Sequence, residues 1–195
     1  MTRPANLCQS SLAALIGLTG AALADTCAAP QGDTWELSAA EIETLYDCIA
    51  QDMQTAYAKS GHPAATAYRG WTVASTRPAV AGPHGDRLLQ TFANAEAAES
   101  YLAFAPEGVR MPAGSVLAKE SIALSADGTA RVGPLFLMTK LDQGGAPDSD
   151  DWFYEAVQPD GRMMRLSQSF CHDCHGAWQD QDSLAYPLEE VRVGN

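Results

Sequence analysis

The segment Phe170-Cys171-His172-Asp173-Cys174-His175, near the C-terminal end of the 195-residue chain, determines what the rest of the fold must provide. Two cysteines three positions apart, with a histidine directly after the second, form the C-x-x-C-H pattern of covalent haem attachment. One helical turn sets the thiols of Cys171 and Cys174 at about the separation of the two haem vinyl groups, to which they add. His175 then lies beneath the ring and can bind the iron as an axial ligand. The motif predicts one covalently bound haem c.

Two other uses of this cysteine pair are a zinc site and a redox-active disulfide. A zinc site would need two further nitrogen or sulfur ligands nearby, and the chain offers only scattered candidates. A redox C-x-x-C of the thioredoxin type belongs beside a β-α-β unit, and the sequence shows no such pattern. Haem attachment is therefore the favoured interpretation.

The position of the motif indicates which residues form the haem pocket. In small electron-transfer cytochromes c the motif lies near the N-terminus, and a methionine ligand follows many residues later. Only 20 residues follow His175, which leaves no room for that arrangement. We therefore expect the residues before the motif to supply the pocket.

Residues 1–24 have the features of a secretory signal peptide. Arg3 gives a positive start, residues 12–23 are an apolar run, and Ala22-Leu23-Ala24 is an A-x-A cleavage site. The run is too short and too interrupted by glycine for a membrane span, and no other stretch is apolar enough. We expect residues 25–195 to form a single exported domain in the periplasm, where haem attachment of this type takes place. Its first part, residues 25–63, is a helical lead.

The remaining cysteines agree with export to an oxidising compartment. Cys8 leaves with the signal peptide, and the haem takes two more, so Cys27 and Cys48 remain. Their simplest use outside the cytoplasm is a disulfide. Two free buried thiols are the alternative.

The formal net charge of −12 argues against partners that are themselves anionic. Such a surface repels nucleic acid and anionic lipid, and it favours a basic redox partner protein. We expect no nucleic acid and no membrane span.

The pattern of apolar and turn-forming residues predicts an α+β fold. Ser38-Ala39-Ala40-Glu41 is a capping box, and apolar residues follow it at helical spacing until Gly61-His62-Pro63. Short segments with turn signals between them come next, with a helix capped by Asn94 among them. The predicted strands are residues 68–75, 87–92, 115–124, 132–140, 152–157 and 162–166. A last short helix, capped by Ser167 or Ser169, carries the haem motif. The result is an antiparallel β-sheet flanked by helices, with haem c attached near the C-terminus.

The chain resembles the cytochrome P460 family over roughly residues 68–195. No single motif is specific, but their order together with the haem motif is. They are, in chain order, Arg69-Gly70-Trp71, Pro83-His84-Gly85, Phe92-Ala93-Asn94, 111–120 (MPAGSVLAKE), 133–136 (GPLF), Met138-Thr139-Lys140, Asp151-Trp152 and Pro159-Asp160-Gly161.

The resemblance implies an antiparallel β-fold, often a homodimer, with one five-coordinate haem c. The best-known enzyme of the family oxidises hydroxylamine and has a lysine bonded covalently to the porphyrin edge. The matching lysine here is Lys119. A sister branch, cytochrome c′-β, has no such cross-link and binds NO or CO.

The distal side of the haem distinguishes the two branches. The hydroxylamine-oxidising branch has a carboxylate on the strand after the lysine, whereas the matching Leu135-Phe136-Leu137 has none. An apolar wall that includes Phe136 admits small neutral diatomics and offers no base for N–H chemistry. Glu120 is the nearest carboxylate in sequence, but strand alternation points it away from Lys119.

Two functions remain open from the sequence. The first is a periplasmic haem c protein with an open distal site that binds or converts NO or hydroxylamine. The second is a simple electron-transfer cytochrome with six-coordinate haem, for which Met111, Met138, Met163 and Met164 are candidate sixth ligands on paper. A methionine on a strand is more often core packing. We expect His84 and His172 to be surface or loop-fixing groups.

Overall fold

The computed structural model describes residues 27–30 and 32–194, so the predicted signal peptide lies outside the described residues. The described part of the chain forms four α-helices and one antiparallel sheet of seven strands, which confirms the α+β class. None of the helices in this part is both long and apolar enough to cross a membrane.

Three strands form the centre of the sheet. The helices are α1 (Ala39–Ala58), α2 (Pro63–Ala67), α3 (Ala95–Leu102) and α4 (Gln168–His175). The strands are β1 (Thr72–Val73), β2 (Ala79–Ala81), β3 (Arg87–Ala93), β4 (Val116–Leu124), β5 (Ala130–Val132), β6 (Leu135–Lys140) and β7 (Trp152–Val157). Their order is β1-β3-β4-β6-β7, with β2 paired to β3 and β5 paired to β4. The middle positions belong to β3, β4 and β6, so each of these strands is hydrogen-bonded to a neighbour on both sides.

Helix α1 covers one face of the sheet, which we call the α1 face. The capping box is formed, because Ser38 Oγ accepts from the Glu41 N–H and Glu41 accepts from the Ser38 N–H. The helix buries Ile42, Leu45, Ile49 and Met53 in one cluster with apolar side chains of the central strands. Those strand residues are Leu88, Phe92, Ala118, Ile122, Leu135 and Leu137. The apolar periodicity of α1 thus positions it on the sheet.

The opposite face is covered by α3, α4 and the C-terminal segment, and we call it the α4 face. Leu117, Met138, Trp152 and Tyr154 form its core together with α3 and Leu184. Because side chains alternate along β4, neighbouring residues enter different cores. Lys119 reaches the C-terminal segment, whereas Glu120 contacts residues of the α1 side, as the alternation predicts.

Several strand predictions need correction. Tyr68–Gly70 is a 3-10 turn, so the first strand is only two residues long and not residues 68–75. The strand predicted at 132–140 is interrupted at Gly133-Pro134, because proline has no N–H for the ladder. Residues 162–166 contribute one isolated bridge, Val157–Met163, rather than a strand. Strand β2 was not expected, since it lies in a segment rich in proline and glycine.

The N-terminal lead is fixed to α1 and to the sheet. Cys27 and Cys48 Sγ atoms are 2.00 Å apart, a disulfide-bonding distance. Ala29 N–H donates to Gly128 O at 2.8 Å, and Ala130 N–H donates to Cys27 O at 2.9 Å. The lead therefore closes over the turn between β4 and β5.

We expect Cys27 and Cys48 to be disulfide-bonded in the mature protein. Alkylation without reduction, followed by peptide mass analysis, should label neither residue, whereas prior reduction should label both. The Cys27→Ala/Cys48→Ala double variant should lose about 3 kcal/mol of unfolding free energy, because the bond closes a loop of 21 residues. Labels at both positions in the unreduced protein would contradict the expectation.

A buried ion pair fixes β4 against α1. Glu120 has a side chain only 1 % exposed, and it is ion-paired with Arg69. It accepts hydrogen bonds from Arg69 Nε at 2.6 Å and from the Tyr46 hydroxyl at 2.8 Å, and also from the Tyr68 hydroxyl. Burial raises the pKa of the Glu120 carboxyl, and Arg69 opposes that effect. The charge of Glu120 is therefore tolerated because Arg69 is present.

Replacing Arg69 by methionine should lower the unfolding free energy at pH 7 by about 3 kcal/mol, because a buried carboxylate loses its partner. Without Arg69 the folded-state pKa of Glu120 rises further above its ordinary 4.5. The folded variant then binds a proton that the unfolded chain has lost, so its stability falls as pH rises above about 4.5.

Urea unfolding at pH 5 and pH 7 measures this effect. Arg69→Met should be closer to the wild type at pH 5, and the Arg69→Met/Glu120→Gln double variant should show no such pH dependence. An equal loss for Arg69→Met at both pH values would show that Glu120 does not carry the effect.

Candidate functional site

Helix α4 presents the three residues of the haem motif. The Ser167 hydroxyl oxygen accepts from the Phe170 N–H, so Ser167 rather than Ser169 is the N-cap. Cys171 is half-buried and Cys174 is exposed, and both are free thiols. They lie one turn apart on α4, immediately before His175. The helix thus offers two unpaired thiols and an imidazole within two turns.

His175 is held in the protonation state of a metal ligand. The residue is 7 % exposed, and its Nδ1 lies 3.0 Å from the carbonyl oxygen of Ser183. Because a carbonyl only accepts, Nδ1 carries the proton and Nε2 keeps a free lone pair. Burial, with a smaller effect from Lys119, lowers the pKa of His175 to about 4. The ring is therefore neutral at pH 7, with Nε2 ready to bind a metal.

The carbonyl that orients His175 lies in a strained turn. Asp182 and Ser183 both have left-handed backbones, with φ of 55° and 60°. Asp182 is ion-paired with Lys140 at 2.8 Å, and its carbonyl accepts from Trp152 Nε1 at 2.7 Å. The Ser183 hydroxyl donates to Asp150 at 2.9 Å. Such a conformation persists only where several contacts determine it, and here they fix the acceptor of His175.

Side chains from two strands and one turn lie on the same side as His175. Lys119 on β4 and Phe136 on β6 are directly paired across the sheet, so they share its α4 face. The ring of His84, from the turn before β3, lies 4.5 Å from the Phe136 ring, centroid to centroid. It lies 6.5 Å from the His175 ring, and Tyr154 lies 5.2 Å from the same ring. We call His84, Lys119, Phe136 and His175 the site cluster.

Lys119 is buried in this cluster without an acidic partner among the described residues. The residue is 7 % exposed, and Nζ donates to the carbonyl oxygen of Ala185 at 3.1 Å. Burial lowers the pKa of its amine to about 8. The amine is therefore mostly protonated at neutral pH, and the neutral form becomes abundant only under mildly alkaline conditions.

The position of His84 differs from the one that the sequence predicts. A surface or loop-fixing role was expected, but the side chain packs on Phe136 and faces His175. Burial, followed by the charge of Lys119, lowers the pKa of His84 to about 3, so the imidazole is neutral. Neither of its ring nitrogens has a hydrogen-bond partner within the described residues. A histidine in a Pro-His-Gly turn gives no sign of its neighbour, because only the tertiary fold brings residues 84 and 175 together.

His172 and the buried methionines have the structural roles that the sequence predicted. His172 Nδ1 lies 3.3 Å from the Tyr154 hydroxyl, and Nε2 lies 3.7 Å from Asp150, so it fixes the local loop. Met111 and Met138 are buried in the core of the α4 face, and Met163 is exposed. Core packing accounts for the two buried ones.

A zinc site finds no support in the described residues. Across residues 27–30 and 32–194, no group of three or more His, Cys, Asp or Glu side chains is arranged to hold a metal ion. Structural zinc takes four such ligands. The donors near α4 are instead two thiols and an imidazole, which fit the thioether and axial positions of haem c.

Comparison with models of known protein families and with curated proteins found no match for the chain. The similarity to cytochrome P460 therefore rests on the motifs in the sequence. The function must be argued from the residues of the site.

Proposed function

We propose that the protein is a periplasmic mono-haem c protein of the cytochrome P460 type, which binds a small nitrogen species such as NO at the haem iron. One observation supports this above the others. His175, with its Nε2 free, follows the two thiols on α4 and lies on the same side of the sheet as Lys119 and Phe136.

The residues present fit the chemistry of haem attachment. Each thiol, of Cys171 and of Cys174, would add across one vinyl group, so that S–H and C=C become C–S and C–H. His175 would bind the iron through Nε2, with Nδ1–H retained on Ser183 O. The bound haem would supply an iron atom that binds diatomic ligands. The chain's own contribution is to hold the axial imidazole neutral and to shield the site from water.

The character of the opposite wall favours NO or CO over hydroxylamine. Strand β6 directs Phe136 and Met138 to the α4 face, and neither carries a carboxylate. Glu120 is ion-paired with Arg69 in the core of the α1 face. Hydroxylamine oxidation needs a base within hydrogen-bond reach of the substrate N–H, whereas a neutral diatomic does not. We therefore infer gas binding, with a redox partner protein required only if the protein also turns over its ligand.

A second candidate is an electron carrier with six-coordinate haem. The observation that favours it is the His84 ring, which stands 6.5 Å from the His175 ring. A permanent pair of axial ligands would close the iron to gases. The two candidates therefore differ in their response to NO and CO.

Optical spectra of the purified ferrous protein, with and without CO and NO, distinguish the two functions. Gas binding should change the Soret and visible bands. The same spectra of His175→Gly should be altered even before gas is added, since the axial imidazole is missing. Sharp low-spin bands in the wild type that neither gas changes would contradict the gas-binding function and favour the electron carrier.

We expect no covalent bond between Lys119 and the haem, and slow or absent hydroxylamine oxidation. The wall at Leu135-Phe136-Leu137 carries no carboxylate to act as a base, and the Lys119 amine is hydrogen-bonded to Ala185 O rather than free. The ferrous Soret band of Lys119→Ala should therefore resemble that of the wild type, as should that of Lys59→Ala, which changes a lysine at the end of α1.

A cross-link would interrupt porphyrin conjugation and shift the ferrous Soret band strongly to the red. Such a band, lost in Lys119→Ala but kept in Lys59→Ala, would contradict the expectation. A proteolytic haem peptide that contains Lys119 together with Cys171 and Cys174 would contradict it as well.

A further inference from the structure

His84 occupies a position that haem attachment alone does not explain. Its turn, the 3-10 segment Gly82–His84, immediately precedes β3. The backbone of this turn is fixed, because Arg87 donates to the His84 carbonyl and Asp86 accepts from Trp35 Nε1 at 2.9 Å. The side chain projects from this fixed turn onto Phe136, toward His175.

The separation of the two imidazoles has a chemical meaning. Two imidazoles that bind one metal ion from opposite sides, with metal–nitrogen bonds of about 2 Å, have ring centroids roughly 6 Å apart. The His84 and His175 rings are 6.5 Å apart and inclined at 80°. Direct packing of the kind seen between His84 and Phe136 gives a shorter separation, 4.5 Å. Edge-to-face ring pairs span about 4.5–7 Å, so the 6.5 Å separation fits direct packing and also leaves the spacing that one metal ion between the two imidazoles requires.

The other side chains near His175 are less suited to be a second axial ligand. Lys119 Nζ already donates to Ala185 O at 3.1 Å, so it would have to give up this hydrogen bond to bind iron. Met138 is buried in a cluster with Leu117, Trp152 and Leu184. His84, by contrast, has no hydrogen-bond partner on either ring nitrogen among the described residues. Its imidazole nitrogens are therefore not held by another protein group and are available to a ligand.

We propose that His84 is the sixth ligand of the haem iron in the resting protein, and that NO or CO binds by displacing it. The resting haem would then differ from the five-coordinate haem that the resemblance to cytochrome P460 implies. This proposal rests on the proposed function, since it needs the haem that Cys171 and Cys174 would hold. In the exchange, a ring nitrogen of His84 would give up its bond to iron and the diatomic would take its place, with no net oxidation or reduction. Because the backbone of the turn is fixed, the imidazole leaves by rotation of its side chain.

The proposal makes ligand affinity depend on the fraction of molecules from which His84 has dissociated. The apparent affinity for CO falls in proportion to that fraction. At high CO concentration the binding rate of the wild type should become independent of CO, because release of His84 limits it. His84 would then raise the ligand concentration to which the protein responds.

His84→Phe is the most direct test, because its ring preserves packing on Phe136 but cannot bind iron. The wild-type holoprotein should have a low-spin, six-coordinate spectrum in optical and paramagnetic resonance measurements, whereas His84→Phe should be high-spin. Its CO binding rate should rise linearly with CO concentration. His62→Ala is the matched control, because His62 lies beside Glu155, away from the site cluster, and it should behave as the wild type.

Chemical rescue distinguishes ligation from a structural role. His84→Ala should also be high-spin, and added free imidazole should restore the low-spin spectrum and slow CO binding. A wild-type protein that carries haem but is high-spin would overturn the proposal and leave the proposed function intact. So would a low-spin His84→Phe. If no haem is attached at all, the proposed function itself fails.

Discussion

The hydrogen bond from His175 Nδ1 to the carbonyl of Ser183 is the interaction on which the site depends. It sets the tautomer of the imidazole and directs Nε2 away from the C-terminal segment. The carbonyl is itself held by a left-handed pair of residues, Asp182 and Ser183, which are fixed by Lys140, Trp152 and Asp150. Lys140, Trp152 and Asp150 therefore all help to fix the orientation of the His175 ring.

The alternation along β4 is the second constraint, because it separates two buried charges. Lys119 and Glu120 are adjacent in sequence and both are buried, but they enter opposite cores. Glu120 is ion-paired with Arg69 on the α1 face, so its buried charge is tolerated there and takes no part in the site. Lys119 enters the α4 face, where burial first and the charge of Lys119 second lower the pKa of both His84 and His175. Strand β4 thus contributes Glu120 to the core of the α1 face and Lys119 to the site cluster.

The sequence was sufficient for the features that depend on local periodicity. The capping box and apolar spacing predicted α1, and the period of two along β4 predicted which residues accompany Lys119. The short helix with the haem motif was also expected, because Ser167 is a good N-cap. In each case the information lies within a few residues of the chain.

What could not be predicted depends on contacts between distant segments. The interruption at Gly133-Pro134 follows from proline chemistry, but the 3-10 turn Tyr68–Gly70 before β1 carries Arg69, whose partner Glu120 lies far along the chain. The Asp182–Ser183 turn holds the acceptor of His175, and the His84 ring approaches the His175 ring. No sequence pattern indicates either contact. The absence of a carboxylate from Leu135-Phe136-Leu137 was visible in the sequence, whereas the imidazole beside Phe136 was not.

The central claim is that Cys171, Cys174 and His175 bind one haem c, and mass analysis of the haem-bearing peptide tests it most directly. The protein should be exported from cells that attach haem to C-x-x-C-H motifs and then digested. The account predicts one peptide containing both cysteines, with the added mass of one haem and no thiol available to alkylation. A Cys171→Ser/Cys174→Ser variant should lose that mass. Two alkylated thiols and no haem in the wild-type peptide would contradict the account.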